Sequence, residues 1–150
     1  MFNEHDFLAT TTTEASSTSF AVAPPGEYSA IIDTELKVRQ FEGKKDPSKT
    51  YTSLDLVWLI DDPAVCSVTN RTPTKVRQSI MLDLSETGGL AVGKGVNVNL
   101  GRLREAVNLN VPGRPFSFEM LAGRMAKVHV ENRVDGDKIY DEVKSVARLA

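Results

Sequence analysis

The sequence predicts a mainly β domain: a five-stranded Greek-key barrel with one helix between its third and fourth strands, carried behind a flexible N-terminal arm. Three observations predict it. Five stretches set apolar residues on alternate positions, the period of a half-buried strand. One stretch shifts to helical spacing, and Gly, Pro and Asp-Gly signals separate the segments.

Residues 1 to 25 open with Met1-Phe2-Asn3-Glu4-His5-Asp6-Phe7-Leu8 and continue as a Thr/Ser-rich stretch to Pro25. Such a composition buries too little apolar surface to offset its chain entropy, so it reads as the arm, and residues 26 to 150 as the folded domain. The first strand spans Tyr28 to Val38, with Tyr28, Ala30, Ile32, Leu36 and Val38 in phase. Phe41 to Lys49 gathers Gly43, Asp46-Pro47 and Ser48 into a turn with a positive tip. The second strand, Tyr51 to Ile60, sets Leu54, Leu56, Trp58 and Ile60 inward and Tyr51, Ser53, Asp55, Val57 and Leu59 outward. After a polar loop from Asp61 to Thr74, the third strand, Lys75 to Leu84, points Val76, Ile80 and Leu82 inward. Leu100, Leu103 and Val107 have helical spacing, so a helix is expected over Val98 to Asn108, ended by Asn110, Pro112 and Gly113. Ser117 caps a short turn through Leu121, with Phe116 and Phe118 as core residues beside it. The fourth strand, Met125 to Val134, and the fifth, Lys138 to Ala147, form a hairpin about Asp135-Gly136. Three strands, a helix and a two-stranded hairpin are the element order of the OB-fold.

At 150 residues the chain has the size of one domain. It has no apolar run of about 20 residues for a membrane and no secretion signal, which points to the cytoplasm. The lone Cys66 excludes an internal disulfide and a multi-cysteine zinc site; no metal or cofactor is expected. The net charge of −2 conceals an asymmetry: residues 1 to 36 carry six acids and no Lys or Arg. Eight bases then fall between Lys37 and Arg77 against five acids. A local basic patch steers a polyanion whatever the total charge.

Catalytic motifs fail one by one. Gly88 to Lys94 approximates a phosphate-binding loop, but Gly95 stands where magnesium ligation requires Ser or Thr, and the surrounding α/β alternation is missing. There is no Gly-x-Ser-x-Gly, and His5 and His129 lie in the arm and on an exposed strand face. Asp61 and Asp62, adjacent at a strand end, read as loop solvation, and no carboxylate cluster suits a nuclease. The chain is not expected to be an enzyme.

Nucleic-acid binding is the better fit. In a five-stranded barrel of this kind a ligand crosses the second and third strands, clamped by the loops between strands one and two and strands four and five. Lys37, Arg39, Lys44, Lys45, Lys49, Lys75 and Arg77 collect there as phosphate ligands, and Arg71 approaches the third strand. Phe41 and Tyr51 flank the basic turn as platforms for unstacked bases, Ser53 lies on the same outward face, and Arg133 and Lys138 flank the second clamp. Trp58 shares its face with Leu54, Leu56 and Ile60 and is expected in the core, while the place of Tyr140 is open. Solvated lysines and core aromatics are the plainer alternative for these residues.

Several segments, taken in order, resemble a phage-encoded family of OB-fold single-stranded-DNA-binding proteins. They are Met1-Phe2-Asn3 to Phe7-Leu8, Gly26-Glu27-Tyr28, Lys45-Asp46-Pro47-Ser48, Leu59-Ile60-Asp61-Asp62-Pro63, Val76-Arg77-Gln78, Leu82-Asp83-Leu84, Gly93-Lys94-Gly95, Leu100-Gly101-Arg102-Leu103-Arg104-Glu105-Ala106, Pro115-Phe116-Ser117-Phe118, Gly123-Arg124 and Asp135-Gly136-Asp137. The resemblance implies a replication or recombination accessory that protects exposed strands in the cytoplasm of an infected bacterium. Cellular single-strand binders recruit partners through an acidic C-terminal tail, whereas this chain stops at Arg148-Leu149-Ala150. Replication or recombination partners are therefore expected on the acidic N-terminal arm, which would also compete with DNA for the basic face. The alternative is a protein-interaction scaffold without direct DNA binding. Edge strands of a small barrel leave a homodimer open.

Overall fold

The computed structural model describes residues 1–17 and 21–149; residues 18–20 of the expected arm and residue 150 of the expected domain lie outside the described residues. The fold is mainly β, with 38% of residues in strands and 17% in helices. The strands are β1 (Gly26–Ile32), β2 (Lys37–Glu42), β3 (Thr50–Ile60), β4 (Thr74–Leu82), β5 (Met125–Asp135) and β6 (Lys138–Ala147). The helices are α1 (Glu4–Leu8), α2 (Pro63–Thr69) and α3 (Val98–Ala106), with a 3-10 turn at Phe118–Leu121.

Six strands form one mixed sheet in the order β1-β5-β6-β4-β3-β2, and β1 also pairs with β3 through Ile31↔Leu59 and Ile32↔Trp58. The pairings β1–β5–β6–β4–β3 thus return to β1. Every pairing is antiparallel except β4–β6, which is parallel and joined at Arg77↔Glu142.

The expected single first strand is two. Alternation runs through Tyr28, Ala30 and Ile32, and the Asp33 N–H still bonds to the Val57 carbonyl opposite it at 2.8 Å; the chain then leaves the ladder up to Leu36, with the Asp33 carboxylate accepting from the Thr34 N–H. β1 is flanked by both β5 and β3 at its end, and past the interruption the chain keeps only β3, with its register moved by two residues, as β2 continues from Lys37↔Asp55 to Glu42↔Thr50. Val38, expected inside, lies on the edge strand and is 56% exposed.

The polar loop after β3 contains a helix, α2. Its start has an explicit signature: the Asp62 carboxylate accepts the Ala64 N–H at 2.9 Å, and Pro63 occupies the first turn, where its missing N–H has no cost. Asn70 ends it with a left-handed φ of 56°. Cys66, expected in a polar loop, lies on the buried face of this helix and donates weakly to the Ile60 carbonyl at 3.5 Å. The arm also holds a short helix, α1, capped by Asn3, whose side chain accepts the Asp6 N–H at 3.1 Å.

Alternation correctly locates the core. Leu54, Leu56, Trp58 and Ile60 of β3 are inaccessible, as are Val76 of β4 and Ala126, Val128 and Val130 of β5. Leu100, Leu103 and Ala106 of α3 bury against them, with Phe116 and Phe118 only half-buried at the margin. Trp58 has one polar atom, and its indole N–H donates to the Gln78 Oε1 at 2.8 Å inside the core.

The domain is packed before Gly26. Ala23 is fully buried and its N–H donates to the Asp141 carboxylate of β6 at 2.8 Å, while the Tyr28 hydroxyl donates to the Pro24 carbonyl at 2.9 Å. Arg71, expected near the DNA surface, instead reaches the Ala21 carbonyl at 3.3 Å and lies 3.9 Å from Asp141. No helix among the described residues is long and apolar enough to cross a membrane.

Trp58→Phe leaves the Gln78 amide without its buried donor, so urea unfolding should show a loss of about 1–3 kcal/mol on that account. Adding Gln78→Leu removes the orphaned acceptor and should recover part of the loss; a double variant no more stable than Trp58→Phe refutes this account.

Candidate nucleic-acid interface

The register among β2, β3 and β4 determines which side chains share a surface, because cross-strand partners lie on the same side of a sheet and successive residues on opposite sides. Phe41 faces Tyr51. Arg39 faces Ser53, which faces Met81, and Lys37 faces Asp55, which faces Ser79. Val57 faces Arg77, and Leu59 faces Lys75. The odd-numbered positions make one outer surface, while Leu54, Leu56 and Trp58 turn into the core. The face thus carries Lys37, Arg39, Phe41, Tyr51, Ser53, Lys75 and Arg77. Lys44, Lys45 and Lys49 sit in the adjoining β2–β3 turn, all three exposed.

That turn is shaped to bring chain and ring together. The Gly43 N–H donates to the Lys49 carbonyl at 2.9 Å, and the Lys49 N–H to the Asp46 carbonyl at 3.1 Å. A Cβ on Gly43 would lie 2.8 Å from both the Asp46 carbonyl oxygen and the Tyr51 ring, so only glycine fits without displacement. Tyr51 and Phe41 are each 39% exposed, with ring centroids 5.9 Å apart and planes tilted by 31°. The Arg39 guanidinium stands 5.4 Å from the Phe41 centroid. Beside Tyr51 and Lys49 a groove of about 500 Å³ runs to Leu82, Asp83 and Leu84.

The centre of the face is acidic. The Asp55 carboxylate accepts from the Arg39 guanidinium, and from the Ser53 and Ser79 hydroxyls at 2.9 Å each. Burial alone would raise its pKa, but hydrogen bonds from Arg39, Ser79 and Ser53, and the Arg39 charge, together hold it below the ordinary carboxylate value. The same hydrogen bond and charge raise Arg39. Two sequence expectations change. Ser53 is 1% exposed with its hydroxyl on Asp55, so it supports the site from beneath and does not reach a ligand. Arg39 is partly neutralised. Lys37 has an exposed partner, Glu35, at 3.3 Å, whereas Lys44, Lys45, Lys49, Lys75 and Arg77 have no ion-pair partner among the described residues.

β6 continues the surface. Glu142 adjoins Arg77, Tyr140 alternates with Glu142, and Arg133 faces Tyr140 across the β5–β6 ribbon. The Arg133 guanidinium lies 5.1 Å from the Tyr140 centroid and its Nε 3.8 Å from Glu142. Tyr140 is 40% exposed, giving a second ring and guanidinium pair that strand periodicity left without a role. The missed signal was the pairing Arg133↔Tyr140, which counting back from the Asp135-Gly136 turn supplies.

Asp55→Asn keeps an acceptor for the serine hydroxyls while releasing Arg39 and removing a negative charge from the face. Its affinity for oligo-dT should rise in fluorescence anisotropy at fixed salt; unchanged or weaker binding contradicts the electrostatic account. Asp55 has a lowered folded pKa, so its stabilisation is complete above the unfolded value of about 3.9 and is lost as pH falls through the folded value. Urea melts should therefore show wild type losing stability relative to Asp55→Asn only below about pH 4.

Compared with known proteins, the chain matches no family model and no curated relative.

Proposed function

We propose that this protein binds single-stranded DNA with little sequence specificity, and protects exposed strands during phage DNA replication or recombination in the cytoplasm of the infected host. The observation that carries the reading is the outer face of β2, β3 and β4, where unpaired cations and half-exposed rings lie side by side. Single-strand binders combine these two components: cations for the backbone, and flat rings on which any base can stack. An unstacked base can bridge Phe41 and Tyr51 while its flanking phosphates reach Lys44, Lys45 and Lys49.

The architecture supports the same reading. Taken as one bent strand, β1 and β2 form the first strand of an OB-fold barrel, followed by β3, β4, α3 and the β5–β6 hairpin. In that scheme the β2–β3 turn and the β5–β6 tip are the two clamps, and each carries an arginine against an aromatic ring.

A companion reading concerns the arm. Met1, Phe2, Phe7 and Leu8 are all exposed around α1, with Phe2 and Phe7 centroids 5.4 Å apart, which supports a docking peptide for a replication or recombination protein. Among the described residues no strand lies beside the outer edge of β2, which supports self-pairing into a homodimer.

The test is retention of labelled oligo-dT in preference to duplex of equal length at low salt; retention of neither favours a scaffold. With four to six phosphate contacts at about 0.7 counterions each, log affinity should fall by roughly 3 to 4 per tenfold rise in salt, and a flat response rejects the reading. Phe41→Ala and Tyr51→Ala should each weaken binding by about 1–3 kcal/mol with little change in that slope.

A further inference from the structure

A cleft of about 400 Å³ lies where β4 and β6 part. The two strands are joined only at Arg77↔Glu142. Just beyond, β6 carries a bulge: Val143 pairs with Val130 and Ser145 with His129, leaving Lys144 as the extra residue. A bulge bends the strand that carries it, and here β6 leaves β4 while α3 lines the opening. Buried Gln78, Ile80 and Val143 make the floor, and exposed Ser79, Asn99, Arg102, Lys144 and Ser145 make the rim.

Three features give the cleft a ligand class. Arg102 and Lys144 bring two positive charges to its rim with no ion-pair or hydrogen-bond partner among the described residues, while the charge of Glu142, the acid in the lining, is answered by Arg133 at 3.8 Å. Asn99 and Ser145 add an amide and a hydroxyl, likewise without partners among the described residues, and these can donate to or accept from any base edge. The cleft adjoins the face, because Ser79 is both part of its lining and a hydrogen-bond donor to Asp55. Its volume is at the low end of the range for small-molecule sites, about 300–1,000 Å³, which suits one nucleotide rather than a longer segment.

We infer that the β4–β6 cleft is a subsite for one unstacked nucleotide of a strand leaving the main face, with its phosphates on Arg102 and Lys144 and its base against Asn99 and Ser145. This rests on the proposed single-strand binding and extends the path past Arg77 to α3.

The test compares wild type with Arg102→Ala/Lys144→Ala, using oligo-dT of about 6 and about 16 nucleotides, the lower and upper parts of the range of site sizes for such domains. Both side chains are exposed and unpaired, so thermal unfolding should be unchanged and serves as the folding control. For the longer oligomer the salt slope should fall by about 1.4, two contacts at about 0.7 each, and the affinity advantage over the shorter one should shrink. An equal fall for both lengths indicates a general loss of field and overturns the subsite, as does no fall for either. Failure of wild type to bind either oligomer overturns the proposed function, and the subsite with it.

Discussion

One strand cannot follow two diverging neighbours without leaving its ladder somewhere, and the chain meets that constraint at Asp33 to Leu36. Before it, β1 pairs with β5 along its length and with β3 at Ile31 and Ile32; after it, β2 pairs with β3 alone. The pairings return to β3 just before the interruption, at Ile31↔Leu59 and Ile32↔Trp58. The interruption also sends β2 past the core as an exposed edge, and this is why Val38, opposite buried Leu54, reaches solvent.

How far the sequence revealed this depends on what each element needs. Residues whose environment follows from strand period alone were legible: Leu54, Leu56, Trp58 and Ile60 are buried as their spacing demands, and the hairpin about Asp135-Gly136 forms. The break after Ile32 was not, because Leu36 and Val38 stay in phase with Tyr28 across it and only the register against β3, Ile32↔Trp58 before and Lys37↔Asp55 after, shows it. α2 was missed although Asp62-Pro63 is a helix start, since seven residues give a helix too little length for a clear apolar stripe. Ser53 shows the limit of alternation: it is on the outer side yet covered, because Arg39 and Asp55 close over it. The full burial of Ala23 depends on Asp141, more than a hundred residues away, and no local pattern encodes that contact.

The electrostatics of the outer face differ from a uniform basic strip. Cations without an ion-pair partner among the described residues stand at the β2–β3 turn and at the Lys75–Arg77 end of β4, while the middle holds a carboxylate saturated by Arg39, Ser53 and Ser79. A carboxylate so held offsets the charge of Arg39, so the middle of the face attracts phosphate less than its ends do. Apolar side chains lie among both groups: Val57 and Leu59 face Arg77 and Lys75, and Met81 faces Ser53 beside Asp55.

Beyond Val130 the β5–β6 ribbon has no core of its own, and two strands alone are marginal in water. What steadies its base is the strap formed by Ala21, Ala23, Arg71 and Asp141. The N-terminal segment is in this sense a guy-rope on the ribbon. The rope is made fast at Asp141, next to Tyr140, so the short stretch from Ala21 to Ala23 moors the part of the ribbon that carries that ring.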